Sequence, residues 1–157
     1  MMEQQELVKK VDSWLTEGAE IKKLLETFTA SSGGRTLTED EVLQVDSFAG
    51  VLKAKQMTEE QFMNDCTGLR PHEVGARKVE LVCAFFNQDW VADNDNENQA
   101  KWYIWYKGGK KNFRFVSVSD YCSFVGIPSW TALKTEKIAK HVAIKFMAEF
   151  KQWLIKE

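Results

Sequence analysis

Residues Lys101–Val118, KWYIWYKGGKKNFRFVSV, leave this chain few choices of fold. Two aromatic runs flank a Gly-Gly pair, the local signature of a β-hairpin closed by a primed two-residue turn. With Gly108 and Gly109 as that turn, Tyr106 faces Lys111, Ile104 faces Phe113 and Trp102 faces Phe115. Side chains alternate along a strand, so Trp102, Ile104, Tyr106, Phe113 and Phe115 share one side of the ribbon. Lys101, Tyr103, Trp105, Asn112 and Arg114 share the other. The first side is nearly all apolar and is expected to be core, whereas the second mixes rings with cations. A lone hairpin is marginal in water, so helices must cover the apolar side.

The flanking sequence supplies those helices. Residues 3–28 place Leu7, Val11, Trp14, Ile21, Leu25 and Phe28 at three-four spacing, interrupted only by Gly18, and the same spacing suits a helix-pair seam. TASSGGRT, residues 29–36, reads as a flexible loop and an internal boundary. Thr38 with Glu41 forms a capping box that opens a helix burying Val42, Val45, Phe48 and Leu52. Thr58 with Gln61 forms another, opening a short helix through Asp65. Gly68 ends it, and Pro71 takes the first turn of a helix to about Asn87 that carries Val74, Leu81, Val82, Phe85 and Phe86.

After the hairpin, residues 120–130 are an irregular aromatic segment. Thr135 then caps a final helix to about Ile155, with Ile138, Val142, Phe146, Phe150, Trp153 and Leu154 on one face. Lys134, Lys137, Lys140, Lys145 and Lys151 gather opposite, with His141 at the margin. The expected class is α+β: a helical N-terminal half, and a small antiparallel β-hairpin or sheet packed against a C-terminal amphipathic helix. The expected organisation is an N-terminal helix at 1–30 and one domain at 37–157. Within that domain helices occupy 38–87, the hairpin 100–119 and the last helix 134–156.

Length and chemistry narrow the function. A chain of 157 residues with 12% aromatic content can bury a sizeable core. Residues 1–99 hold 19 acids and 10 bases, about −9; residues 100–157 hold 4 acids and 11 bases, about +7. A division of that kind fits either two halves that attract each other or a basic surface for a nucleic-acid or ribonucleoprotein partner. No apolar run reaches membrane length, and MMEQQELVKK lacks the core of a signal peptide, so no membrane partner is expected. Cys66, Cys83 and Cys122 are odd in number and widely spaced, which points to a reducing cytoplasm.

No catalytic set emerges. His72 and His141 fall in helices without a flanked nucleophile beside them. Cys66, His72, Cys83, Cys122 and His141 lack the close ligand pair that zinc requires. Asp93, Asp95 and Glu97 alternate like the opening of a calcium loop, but Asn98 replaces its glycine and Ile104 its bidentate Glu. Their expected role is to bond nearby backbone and shape the turn into the first strand. Asp93 or Asp95 with Gln99 and Lys101 faintly follows the order of a metal-dependent nuclease, at a spacing too short for two strands. Residues 58–87 resemble a helix-turn-helix, but Asn64 and the weakly basic His72, Glu73 and Arg77 favour plain helix packing. No cofactor is expected.

The outer hairpin side is the better candidate. Tyr103 and Trp105 beside Lys101 and Arg114 suit stacked bases and phosphates, or protein hot spots, or simply burial under another element.

The pattern DWxxDxxNxxQxKWY, formed by Trp90, Asp93, Asn96, Gln99, Lys101, Trp102 and Tyr103, precedes the aromatic strands and final helix. It resembles a set of small uncharacterised proteins encoded by phages and mobile elements of Bacteroidetes. The likeness spans roughly residues 79–157. The resemblance carries no established activity; it implies a mobile-element setting in a host bacterial cytoplasm, where small accessory proteins often act by binding and disabling a host defence complex.

The expected function is therefore a non-enzymatic inhibitor of a host defence protein or ribonucleoprotein, possible targets including an RNA-guided nuclease in anti-CRISPR fashion. The alternative is a nucleic-acid-binding regulator using the 58–87 helices or the basic C-terminal face. The expected contact residues are Lys101, Tyr103, Trp105, Lys110, Lys111, Arg114, Lys137, Lys140 and Lys145.

Overall fold

The structure is a computed structural model and describes residues 36–120 and 128–156. The chain divides into two units, Met1–Thr36 and Leu37–Glu157, and the described elements belong to the second. The helix expected over 3–28, residues 29–35 of the boundary loop, and residues 121–127 of the aromatic segment (Cys122 among them) lie outside the described residues.

The class is α+β, with six α-helices and a two-stranded antiparallel sheet among the described residues. Helices α1 (Glu39–Val42), α2 (Phe48–Ala54) and α3 (Glu59–Asp65) precede the long α4 (Pro71–Asn87). Strands β1 (Trp102–Lys107) and β2 (Arg114–Asp120) follow, then a 3₁₀ turn at Ser129–Thr131 and helices α5 (Glu136–Lys145) and α6 (Met147–Leu154).

Helix starts follow side-chain chemistry. The Thr38 hydroxyl accepts from the Glu41 amide while the Glu41 carboxylate accepts from the Thr38 amide. Thr58 and Gln61 repeat the exchange, and each such cap satisfies donors that the first helical turn leaves orphaned. The single helix expected after Thr38 is two. Ser47 adopts extended backbone and its hydroxyl accepts from the Gly50 amide, so it starts α2 instead of continuing α1.

Helix α4 is the spine of the domain. Its Val74, Val79, Val82, Cys83, Phe85 and Phe86 are buried, and it packs along α6. At Gly75 the two backbones approach so closely that an added Cβ would stand 2.5 Å from the Trp153 amide nitrogen. At its C-terminus the buried Asn87 amide donates to the Ala132 carbonyl, and its oxygen accepts from the Lys134 amide. That clasp holds Leu133 against β1, where Leu133 and Trp102 exchange both backbone hydrogen bonds.

The hairpin keeps its expected faces but not its expected turn. Lys107 pairs with Arg114, Ile104 with Val118 and Trp102 with Asp120; the ladder slips at Val116, a bulge. The connection is therefore the six residues 108–113. Asn112 sets that length: its side-chain oxygen accepts from the Gly109 amide at 2.7 Å. Its carbonyl sits where a Cβ on Gly108 would reach, and Gly108 has φ +105°. Trp102, Ile104, Tyr106, Phe113 and Val118 pack on the main core. Phe113 stacks on Tyr106 at 4.8 Å and Phe115 meets the same ring edge-on at 6.3 Å.

The final helix is likewise two, broken at Phe146. Helix α5 lies across both strands as expected, while α6 turns away to pack on α4.

Candidate functional site

The approach to β1 is a loop that folds on its own side chains. Asp93 accepts from the Asp95 amide and Asn96 from the Asn98 amide, each at 3.0 Å. The Gln99 amide group accepts from the Asp93 amide at 2.6 Å and donates to the Val91 carbonyl at 2.9 Å. The Lys101 ammonium then donates to the Asn96 and Gln99 carbonyls, at 2.9 and 3.2 Å. Residues 93–101 thus form a loop closed by a lysine, the local role expected for its Asp and Asn side chains. Gln99 and Lys101 both bond loop backbone.

Two expected contact residues are buried instead of exposed. Lys101 is fully buried and Tyr103 only 2% exposed. Both lie at the base of the hairpin, where their side chains are buried. Lys101 is drawn in because loop carbonyls replace the water its ammonium would lose. The Tyr103 hydroxyl is buried without a hydrogen-bond partner among the described residues, and burial raises its pKa. Neither side chain offers itself to a partner.

Towards the tip the same side opens. Trp105 is 38% exposed, its indole nitrogen donating to the Ser119 hydroxyl, and Val116 projects at the bulge. Beyond them Lys107, Lys110, Lys111 and Arg114 are all exposed. Residues 107–114 contain no acid, and none of these four cations has an acidic partner within ion-pair distance among the described residues. Lys107 stands directly across from Arg114 at the end of the ladder, a like-charge pair that works against the hairpin. Sequence reasoning passed over Lys107, whose signal was its place in the same short basic run.

The helical lysines differ. Lys137 bonds Asp40 at 2.9 Å and lies 3.7 Å from Glu39, and the Asp40 carboxylate raises its pKa. Lys140 pairs with Glu136 one turn earlier. Lys137 is therefore occupied against α1, and Lys140 within α5 itself. Lys145 is exposed, without an acidic partner at ion-pair distance among the described residues. The structure joins Lys110, Lys111 and Arg114 at one tip, with Lys107 added, and sets Lys137 and Lys140 elsewhere.

The 58–87 helices carry little free positive charge. Arg70 bonds Glu73 at 2.7 Å and holds that carboxyl down at about 2, and Arg77 pairs with Glu80. Helix α4 buries one face along the core through Val74, Val79, Val82, Cys83, Phe85 and Phe86. Cys66 and Cys83 are both buried, in separate apolar clusters. Among the described residues no group of three or more His, Cys, Asp or Glu is placed to hold a metal ion, and no helix is long and apolar enough to cross a membrane.

Comparison with protein-family models, curated proteins and solved structures finds no match for this chain.

Proposed function

We propose that this protein is a non-catalytic binding protein of a phage or mobile element, acting in the host bacterial cytoplasm to inhibit a defence complex of the RNA-guided nuclease type. The hairpin tip makes the principal contact. One observation carries this reading: Lys107, Lys110, Lys111 and Arg114 crowd one turn without acids, with Lys107 opposed to Arg114. Like charges at that spacing weaken a hairpin unless something anionic covers them. The defence setting comes from the DWxxDxxNxxQxKWY resemblance. Trp105 extends the surface, while Lys101 and Tyr103 hold its base in shape.

Capture from the natural host tests the proposal. The bait should recover a defence component, and its expression should restore phage growth on a defended strain. Recovery of no defence component, with no change in phage growth, contradicts the reading. Tight binding to free DNA or RNA that collapses between low and physiological salt would instead make the protein a nucleic-acid-binding regulator.

A further inference from the structure

A groove of about 480 Å³ opens beside the tip, lined by Pro71, Lys110, Ala148, Lys151, Gln152 and Ile155. It lies where the hairpin loop, the start of α4 and the outer side of α6 meet. The volume falls within the range of sites that take a small ligand or a few side chains.

Its chemistry is selective. The floor is aliphatic, made of Pro71, Ala148 and Ile155. Gln152 is already committed, donating to the Pro71 carbonyl at 3.0 Å and accepting from the Lys78 ammonium at 3.0 Å. The remaining polar groups are the Lys110 and Lys151 ammoniums, neither of which has an acidic partner among the described residues. A nucleic-acid site would want a ring to stack a base, or free amides to read its edge. This groove lines itself with neither. Two cations flanking an aliphatic floor complement carboxylates that flank an aliphatic side chain.

We infer that this groove docks a short acidic segment of the partner protein, one that lays a leucine-like side chain on the Ala148–Ile155 floor between carboxylates held by Lys110 and Lys151. The inference rests on the inhibitor reading above and names the chemistry its target must present.

Fluorescence anisotropy at about 0.15 M salt tests it with defined probes. These are a labelled Glu-Asp-Leu-Glu-Asp-Leu peptide, the same peptide with glycine for leucine, and a short oligothymidylate. The leucine peptide should bind about tenfold more tightly than the glycine peptide, since a partly buried leucine is worth that much. Ala148→Trp, which fills the floor from an exposed position, should remove the leucine preference. Lys151→Glu should weaken both peptides. Equal binding of the two peptides, no peptide binding, or tighter binding of the oligothymidylate that Ala148→Trp abolishes would each overturn the inference. Host capture with the Ala148→Trp protein separates the two levels. If that variant recovers the same defence component as wild type, the groove is not the dock and the inhibitor reading stands. If wild type recovers none, the inhibitor reading falls and takes the partner segment with it.

Discussion

The Tyr106 hydroxyl donates to the Ala143 carbonyl across 2.9 Å, joining the hairpin to the place where the last helix breaks. In an unbroken helix that carbonyl would accept from the Met147 amide four residues on. Here α5 ends at Lys145 and α6 restarts at Met147, with Phe146 buried between them. A side chain that takes over a ladder carbonyl is a recognised cause of a helix kink. Burial raises the Tyr106 pKa far above its ordinary range, so the group remains a donor.

Tyr106→Phe keeps the ring against Phe113 and Phe150 and deletes only that donor. Urea denaturation should show a loss of about 1–3 kcal/mol, the cost of leaving a buried carbonyl unpaired. An unchanged midpoint would mean that the break is held by packing alone.

Lys101 is expected to act on stability and not on binding. Lys101→Met keeps the apolar stem and removes the ammonium that closes the 93–101 loop. A loss of about 1.5–3 kcal/mol should follow, the range for hydrogen bonds to charged groups. Partner capture at a temperature where the variant is folded should be unchanged. Lost capture with full stability would return Lys101 to the contact surface.

Gly75→Ala probes the approach of α4 to α6. The added methyl meets Trp153 backbone at 2.5 Å, and backbone cannot step aside as a flexible side chain can. A thermal melt should show destabilisation of about 1–3 kcal/mol, as for other overpacked cores. A neutral or stabilising result would show that the helices can separate freely.

Burial pushes the Cys83 thiol up to about 12 from its ordinary 9.0. Its folded pKa is raised, so the native state keeps a proton that the unfolded state releases. The contribution is fully present below about pH 9 and is lost as pH rises through 9 towards 12. Wild type should therefore lose more stability between about pH 8 and pH 11 than Cys83→Ala does. Parallel pH profiles for the two proteins would contradict this.

Much of the architecture was legible because helix starts are local. Thr38, Thr58, Pro71 and Thr135 each announce one through a hydroxyl or a missing amide hydrogen, and each is where its helix begins. Helix ends and interruptions were less legible. The hydrogen bond made at the break comes from Tyr106, 40 residues before Phe146 in the chain, and no window of sequence around residue 146 contains it. The hairpin failed in a similar way. Gly108-Gly109 reads as a two-residue turn until the Asn112 side chain is allowed to bond the Gly109 amide and lengthen it.

The contact surface shows the same limit. Alternation tells which residues share a side of a strand, but not what covers that side. Tyr103 and Trp105 are equivalent by period, yet one is sealed at the hairpin base and the other is open near the tip. Likewise Lys137 and Lys145 look alike on a helical wheel, and only the arrival of Asp40 and Glu39 from a distant helix separates them.

The most direct test of the tip compares two charge-neutralised proteins in capture from the natural host. One carries Lys107→Gln, Lys110→Gln, Lys111→Gln and Arg114→Gln; the other carries Lys137→Gln and Lys140→Gln. The tip assignment predicts that the first loses its target while its melting temperature holds or rises, because like charges have been relieved, and that the second captures normally. Full capture by the first protein, or equal loss in both, would contradict it.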